Sequence, residues 1–404
     1  MSAETLSAPS IPHDEFDGVL ALQALLRAGL DVEVYPRQVV YVPAGEGAEL
    51  SFVHGIPGTS GLGPVTYAQD KRMQRGLLER HGVPVPSAAT FTVGRGVSGA
   101  KRFARKVGFP VLVKPAVGDN GIETFRDIQD VQGIDQALDY LRTPPSQRAG
   151  FSRASYGLTE LREPGEENGR IVVPPGYMFM VEHQLQGTYL RVLVSDGDVR
   201  SVVRCEGVPT DETLTGGTEI IDEVHPSLKR LALQAVQALP GLSVAAIDIV
   251  LEDPARPTDE QEVGVVEFSE RPSLWVQAKV DADLAVRLSE DLVRRYADAE
   301  GHTLADPRPE VAVAIEAHAL PDAIQGGQAI IDAATALGLQ AEVTDVDQTE
   351  GTVYASLAGA AGTVAHLVNE MLNGSIDEQR VMLVTVGHKS APQTRDHAPS
   401  QILT

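Results

Sequence analysis

Two short apolar runs decide how this chain is read: Val-Ala-Ala-Ile-Asp-Ile-Val-Leu at 244–251 and Val-Gly-Val-Val-Glu-Phe-Ser at 263–269. The stretch between them is polar and contains Pro254 and Pro257, so an antiparallel pair of strands is the economical arrangement. Side chains alternate along a strand, which places Glu267 and Ser269 on one face. In a suitable register Asp248 joins them. Like charges set opposite each other are destabilising unless something neutralises them. Mg²⁺, a hard cation that takes carboxylate and phosphate oxygens together, would do so. The competing reading is two acidic residues at strand ends facing water.

Working outward, 404 residues suffice for two or three domains with their own cores. A hydrophobic content of 43% and a charged content of 22% are those of an ordinary globular protein. No apolar stretch approaches the roughly 20 residues of a membrane span, and the N-terminus lacks a basic, apolar signal pattern, so a cytoplasmic protein is expected. The single cysteine, Cys205, excludes an intrachain disulfide and a cysteine-rich zinc site, and its apolar setting reads as a buried small residue. The net charge of −23, from 33 basic and 56 acidic residues, argues against non-specific binding to nucleic acid or to an anionic membrane. An anionic ligand must therefore find a local concentration of Lys, Arg and backbone N–H groups.

Residues 1–12 read as unstructured. Helical spacing follows at 15–30, a strand at 32–35, a glycine-bearing loop at 52–63 and one helix at 68–81, with Gly82 and Pro84 as its stop. Then come a strand at 110–115 that carries Lys114, a loop at 116–121, a helix at 132–141, and the aperiodic stretch 144–176, whose length suits a lid, a binding loop or disorder. Strands at 177–182, 190–194 and 199–205 precede a helix at 227–238, the acidic hairpin and a helix at 282–296. Beyond a linker at 305–309, residues 310–404 show a β-α-β-β-α-β order, which suits a small ferredoxin-like unit. No internal repeat is evident.

Several cations stand out. Lys114 ends an apolar strand just before Gly118-Asp119-Asn120-Gly121, and a glycine-bearing loop beside a lysine can cradle phosphates. The loop is not a P-loop, and taken alone it equally suits a surface turn. In 189–204, Asp196-Gly197 between apolar runs marks a tight hairpin. With those two as the turn, Arg191 pairs with Val202 and Arg204 is its diagonal neighbour on the same face, so two arginines would converge, or both would face solvent and meet carboxylates from elsewhere. Arg271, four residues after Glu267, is a third candidate anion ligand or an ordinary salt-bridge partner. No histidine pair has metal-ligand spacing, His183 and His225 read as structural, and no Gly-x-Ser-x-Gly element supports a serine triad.

In this order the pieces resemble the ATP-grasp superfamily, specifically carboxylate–amine ligases similar to the ATP-grasp part of cyanophycin synthetase and to peptide ligases of antibiotic pathways. The resemblance covers roughly 55–297 and is carried by Asp70-Lys71, Leu77-Leu78, Gly82-Val83-Pro84-Val85-Pro86, Phe109 to Pro115, Gly118 to Gly121, Val181-Glu182 with Gly187 and Arg191, and Asp222-Glu223-Val224-His225-Pro226 followed by Gly241-Leu242 and Ala246-Ile247-Asp248. It implies an α+β ATP-grasp fold, two α+β lobes sandwiching ATP, with an abbreviated N-terminal α/β lobe at 1–66, the ATP-grasp domain at 67–304 with its insertion at 144–176, and the small α+β unit at 310–404.

The resemblance also implies an activity: an ATP-dependent ligase joining an amino acid or peptide-like carboxylate to an amine through an acyl phosphate, in specialised metabolism such as antibiotic biosynthesis. Lys71, Lys114, Gly118 and Gly121 would hold phosphates, and Glu182 would engage adenosine. Asp248, Glu267 and Ser269 would hold Mg²⁺, while Arg191, Arg204 and Arg271 would stabilise the acyl phosphate or bind the carboxylate. Arg148, Arg153 and Arg162 of the insertion could close over a carboxylate, and the C-terminal unit could complete the acceptor pocket or form a homodimer interface. Three departures bear on this. Ser269 stands where the family's Glu-x-Asn metal pattern has an amide, Tyr189 stands where an acidic residue is common, and Ile122 and Glu123 follow Gly121 where relatives carry a basic residue. They keep a non-catalytic nucleotide binder open, and a small-molecule carboxylate kinase is the enzymatic alternative.

Overall fold

The strand Glu310–His318 alternates buried and exposed residues along most of its length, which is the mark of a sheet with one covered face. It belongs to a computed structural model that describes residues 11–45, 47–117, 123–148, 164–210, 213–374, 376 and 381–388. The expectations for 1–10, for Gly118 and Gly121, and for Arg153 and Arg162 lie outside these residues. The chain divides into two compact units, 1–54 with 293–404, and 55–292.

In the first unit the expected β-α-β-β-α-β order is found. The strands Gln340–Asp347, Thr352–Ala360, Glu310–His318 and Leu383–His388 are neighbours in that order, all antiparallel, with helices Ala323–Ala336 and Ala361–Asn373 between them in sequence. This is the ferredoxin-like arrangement. The expected separation of an N-terminal lobe from this unit is not what the structure shows. Val32–Tyr35 pairs antiparallel with Leu383–His388, and Val39–Val42 and Leu50–Val53 extend the same sheet. The helix His13–Arg27 joins the same core, where Leu22, Leu25 and Leu26 lie with Val364, Leu367 and Val368. The Asn369 and Asn373 amides donate to the two oxygens of Glu15 at 2.6 and 2.8 Å. A sheet edge with an exposed hydrogen-bonding row needs a partner, and here the N-terminal segment supplies it.

Among the described residues the second unit holds two larger antiparallel sheets and a two-stranded one, Gly165–Glu167 with Arg170–Val172, which falls within the stretch 144–176. One of the larger two runs Ala88–Thr92, Met178–His183, Val111–Pro115, Phe125–Ile128, and its core gathers Val113, Phe179 and Val181 with Ile134 and Leu138 of the helix Val131–Arg142. The other runs Gly216–Glu219, Asp198–Glu206, Thr188–Ser195, Val244–Leu251, Val263–Ser269. Leu190, Val192, Ile247 and Ile249 pack there with Leu228 and Ala232 of the helix Pro226–Gln237. The α+β class is as expected, with the acidic hairpin as an antiparallel pair.

Two local expectations differ. The single helix at 68–81 is two, Leu62–Gln69 and Lys71–Arg80, because Asp70 is extended and bridges to Val117. The Asp70 carboxylate caps the second helix through the Arg72 N–H at 2.9 Å. In the 189–204 hairpin Asp196 and Gly197 do form the turn, with φ of 49° and 78°, the left-handed pair of a type I′ turn. An irregularity between Leu193 and Val194 then shifts the register. Val194 pairs with Val199 but Leu193 with Ser201, which leaves Arg200 as the extra residue, its guanidinium on Asp291 at 2.6 Å.

Candidate active site

The bulge at Arg200 decides which arginines meet. Arg191 pairs with Val203, not Val202, and Arg204 lies opposite Leu190. The expected convergence of Arg191 and Arg204 is therefore corrected. They fall on opposite faces of the sheet, with Arg191 buried and Arg204 exposed.

On the face that Arg191 shares, the strand register puts Asp248 between two partners, Arg191 on one side and Glu267 on the other. Ser269 lies two residues further along the same face, opposite Ala246. Asp248, Glu267, Ser269 and Arg191 are all buried, so the carboxylates do not simply face water. Both Arg191 Nε and Nη2 donate to Asp248, the latter at 3.1 Å, and the Tyr189 hydroxyl adds a bond to Asp248 Oδ2 at 3.2 Å. Burial pushes the Asp248 carboxyl above its ordinary range despite Arg191. Tyr189, where an acidic residue is common in the resembled ligases, is thus a hydrogen-bond donor to the carboxylate, and an acid there would add a third negative charge.

The two lysines reach this face from different elements. The Lys71 N–H donates to the Ala116 carbonyl at 2.9 Å, which ties the start of the Lys71–Arg80 helix to the end of the Val111–Pro115 strand. Lys71 Nζ contacts Glu267 Oε1 at 2.6 Å, and Lys114 Nζ lies 3.3 Å from Glu182 and 3.6 Å from Glu267 Oε2. A second bulge helps. Asp248 pairs with Glu267 but Ile249 with Val265, so Val266 is extra, and its carbonyl accepts from Lys114 at 3.2 Å. Burial by itself would raise the Glu267 carboxyl, yet Lys71 and Lys114 outweigh it and bring it down to about 2.

Other expected residues are placed as follows. Glu182 also meets Arg75 Nη1 at 3.3 Å. Arg271 is buried beside Glu270, 3.9 Å away, and its N–H donates to Ser269 Oγ at 3.1 Å. Arg148 is not a free lid residue. Its guanidinium is buried against Glu123 at 2.5 Å and donates to the Thr143 and Leu141 carbonyls at 2.7 and 2.9 Å. His225 caps the Pro226–Gln237 helix. The Cys205 thiol, raised by burial and by Asp248 to about 12, is no thiolate at neutral pH.

Beside the cluster lies a cavity of about 440 Å³ lined by Glu182, residues 183–189, Arg204 and Val266, with Arg126 and Leu112. That volume suits a small organic ligand. Gly187 forms part of its wall at φ 146°, against the Leu251 carbonyl, where any Cβ would collide. Arg126 and Gln74 were not anticipated. Gln74 Nε2 bridges the Ala68 and Phe268 carbonyls at 3.1 and 2.8 Å, and neither residue carries a spacing signal.

Among the described residues no group of three or more His, Cys, Asp and Glu could hold a metal ion. Asp248 and Glu267, opposite each other with the Ser269 hydroxyl next in line, are nonetheless hard oxygen donors of the kind Mg²⁺ combines with phosphates and water. The donor set fits such an ion when a phosphate ligand completes it.

No protein-family model matches the chain. In sequence it is similar to cyanophycin synthetase of Nostoc sp. (24% identity over 254 residues, 53% of this chain and 27% of the relative). It is also similar to D-alanine–D-alanine ligase of Mycobacterium sp. (26% over 301 residues, 70% of this chain and 75% of the relative). The chain thus spans about a quarter of the cyanophycin synthetases it matches (27%). Among solved structures, a bifunctional glutathione synthetase from Pasteurella multocida aligns with a TM-score of 0.43 at 15% identity, covering 70% of this chain and 43% of that one. The resemblance read from the motifs is therefore found in the sequence relatives.

Proposed function

We propose that the chain is an ATP-dependent carboxylate–amine ligase. The observation that carries this reading is the buried pair Asp248 and Glu267, directly opposite in the sheet, ringed by Lys71, Lys114 and Arg191 and next to the cavity. A buried carboxylate pair with this many cations is costly to keep unless charge is exchanged there. Polyphosphate and a metal ion are charges of the right sign and size.

In this reading the nucleoside occupies the cavity against residues 183–189, with Glu182 at its edge. Asp248, Glu267 and Ser269 would hold Mg²⁺, which when bound supplies neutralising charge to the phosphates. Lys71 and Lys114, which here contact Glu267, would hold phosphate oxygens as point charges. A substrate carboxylate oxygen attacks the γ-phosphorus, the P–O bond to the β-phosphate breaks, and ADP leaves. An amine nitrogen then attacks the acyl carbon, the C–O bond to phosphate breaks, the nitrogen loses its proton, and phosphate and an amide remain. Arg191 and Arg271 stabilise charge at the transferring group. The site must exclude water, which would hydrolyse the acyl phosphate.

The substrates in this reading are an amino acid or peptide-like carboxylate and an amine, within a specialised metabolic route. The test is release of ADP and phosphate from Mg·ATP across a pooled panel of amino acids, short peptides and amines, with mass spectrometry of the products. A product lighter than the sum of its parts by one water, formed with ADP, is expected, and Lys114→Ala should abolish it. AMP release would overturn the acyl-phosphate step. A stable phosphorylated product without amine would indicate a kinase, and nucleotide binding without turnover would indicate a binding protein.

A further inference from the structure

We propose that Arg126 is a phosphate-binding residue of the cavity, supplying from a strand the positive charge that the preceding loop lacks; this rests on the nucleotide reading above. The loop Gly-Asp-Asn-Gly-Ile at 118–122 carries no Lys or Arg. The next strand, Phe125–Ile128, brings one to the cavity wall.

Its orientation follows from its neighbours. Phe125 packs into the core edge-on to Tyr140, with ring centroids 5.2 Å apart, so alternation turns Arg126 the other way. The pairing of this strand is irregular, Val113 with Phe125 but Val111 with Ile128, so Arg126 and Asp127 stand opposite Leu112, which also lines the cavity. Asp127 then pins the strand. Its N–H donates to Gln184 Oε1 at 2.7 Å, and Gln184 Nε2 returns a bond to Asp127 Oδ1 at 2.7 Å. Gln184 is itself a cavity residue, so Arg126 is held next to the segment assigned to the nucleoside.

Among the described residues no anion pairs with Arg126. Its Nε is buried with no hydrogen-bond partner among the described residues. The nearby carboxylates are engaged by others: Glu182 by Lys114 and Arg75, Glu267 by Lys71 and Lys114, and Asp248 by Arg191. Arg126 is still close enough that its charge helps hold Glu267 low and opposes the rise of Tyr189. A buried donor without a partner calls for one, and a planar guanidinium matches the spacing of two phosphate oxygens. A nucleoside polyphosphate in the cavity supplies both.

The experiment is calorimetric titration of the intact chain, wild type, Arg126→Ala and Arg126→Lys, with Mg·ATP and separately with adenosine, folding being checked by circular dichroism and thermal melting. ATP affinity is expected to fall about tenfold or more in Arg126→Ala, less in Arg126→Lys, with adenosine affinity unchanged. ATP binding equal to wild type in both variants would overturn the assignment and leave the nucleotide reading standing. Equal losses for ATP and adenosine would also overturn it, since Arg126 would then only shape the cavity. A wild-type chain that binds neither ligand would overturn the nucleotide reading itself, and this assignment with it.

Discussion

Replacing Arg191 with Met removes the only cation hydrogen-bonded to Asp248 among the described residues while keeping much of the side-chain volume. Arg191 and Asp248 are each 3% exposed, so the carboxylate left behind has the Tyr189 hydroxyl at 3.2 Å and little water. Breaking a buried pair on one side costs about 3–5 kcal/mol, whereas replacing both partners with apolar residues is often near neutral. For a unit of this size that corresponds to a fall in Tm of roughly 10 °C. The assay is urea unfolding of Arg191→Met, Asp248→Leu and the double variant, which closes a double-mutant cycle. The double variant should recover most of the stability lost in either single one. Because Asp248 already lies above its ordinary range, losing Arg191 raises it further, so the Arg191→Met deficit should shrink as the pH is lowered and the folded state takes up the proton. A loss below about 1 kcal/mol in Arg191→Met, or single losses that simply add, would refute a coupled buried pair.

Two further outcomes follow from the same geometry. Glu267 is lowered from 4.5 to about 2, so its stabilising contribution is fully present above about 4.5 and is lost as the pH falls from there to about 2; unfolding midpoints measured across that window should drop more steeply in wild type than in Glu267→Gln, and parallel slopes would contradict the Lys71 and Lys114 assignment. Gly187→Ala should destabilise by about 1–3 kcal/mol, from positive φ and a collision with the Leu251 carbonyl, read as a lower melting temperature and weaker nucleotide binding. A variant that melts like wild type would show that the backbone there has room to shift.

The acidic hairpin was legible because alternation is local. Any strand through Glu267 and Ser269 puts both on one face, and apolar runs of that length leave little alternative. The tight turn at Asp196-Gly197 was legible for a similar reason, since it requires positive φ at both positions. The same local signals mark the ferredoxin-like order of the C-terminal segment. Residues 11–54 carry no mark of where their strands pair, and their place beside Leu383–His388 joins parts of the chain more than three hundred residues apart.

The site divides along the same line. Sequence alone determined which strands carry the carboxylates and Lys114 and that Lys71 belongs to a helix, because residue type and local periodicity are properties of a short segment. Tertiary structure decided which charges meet. One extra residue at Arg200 separates Arg191 from Arg204, one at Val266 turns a carbonyl to Lys114, and the irregular pairing beside Leu112 accompanies Arg126 at the cavity wall. Bulges are set by how neighbouring strands and helices pack against both faces of a sheet, and a shift of one residue exchanges those faces.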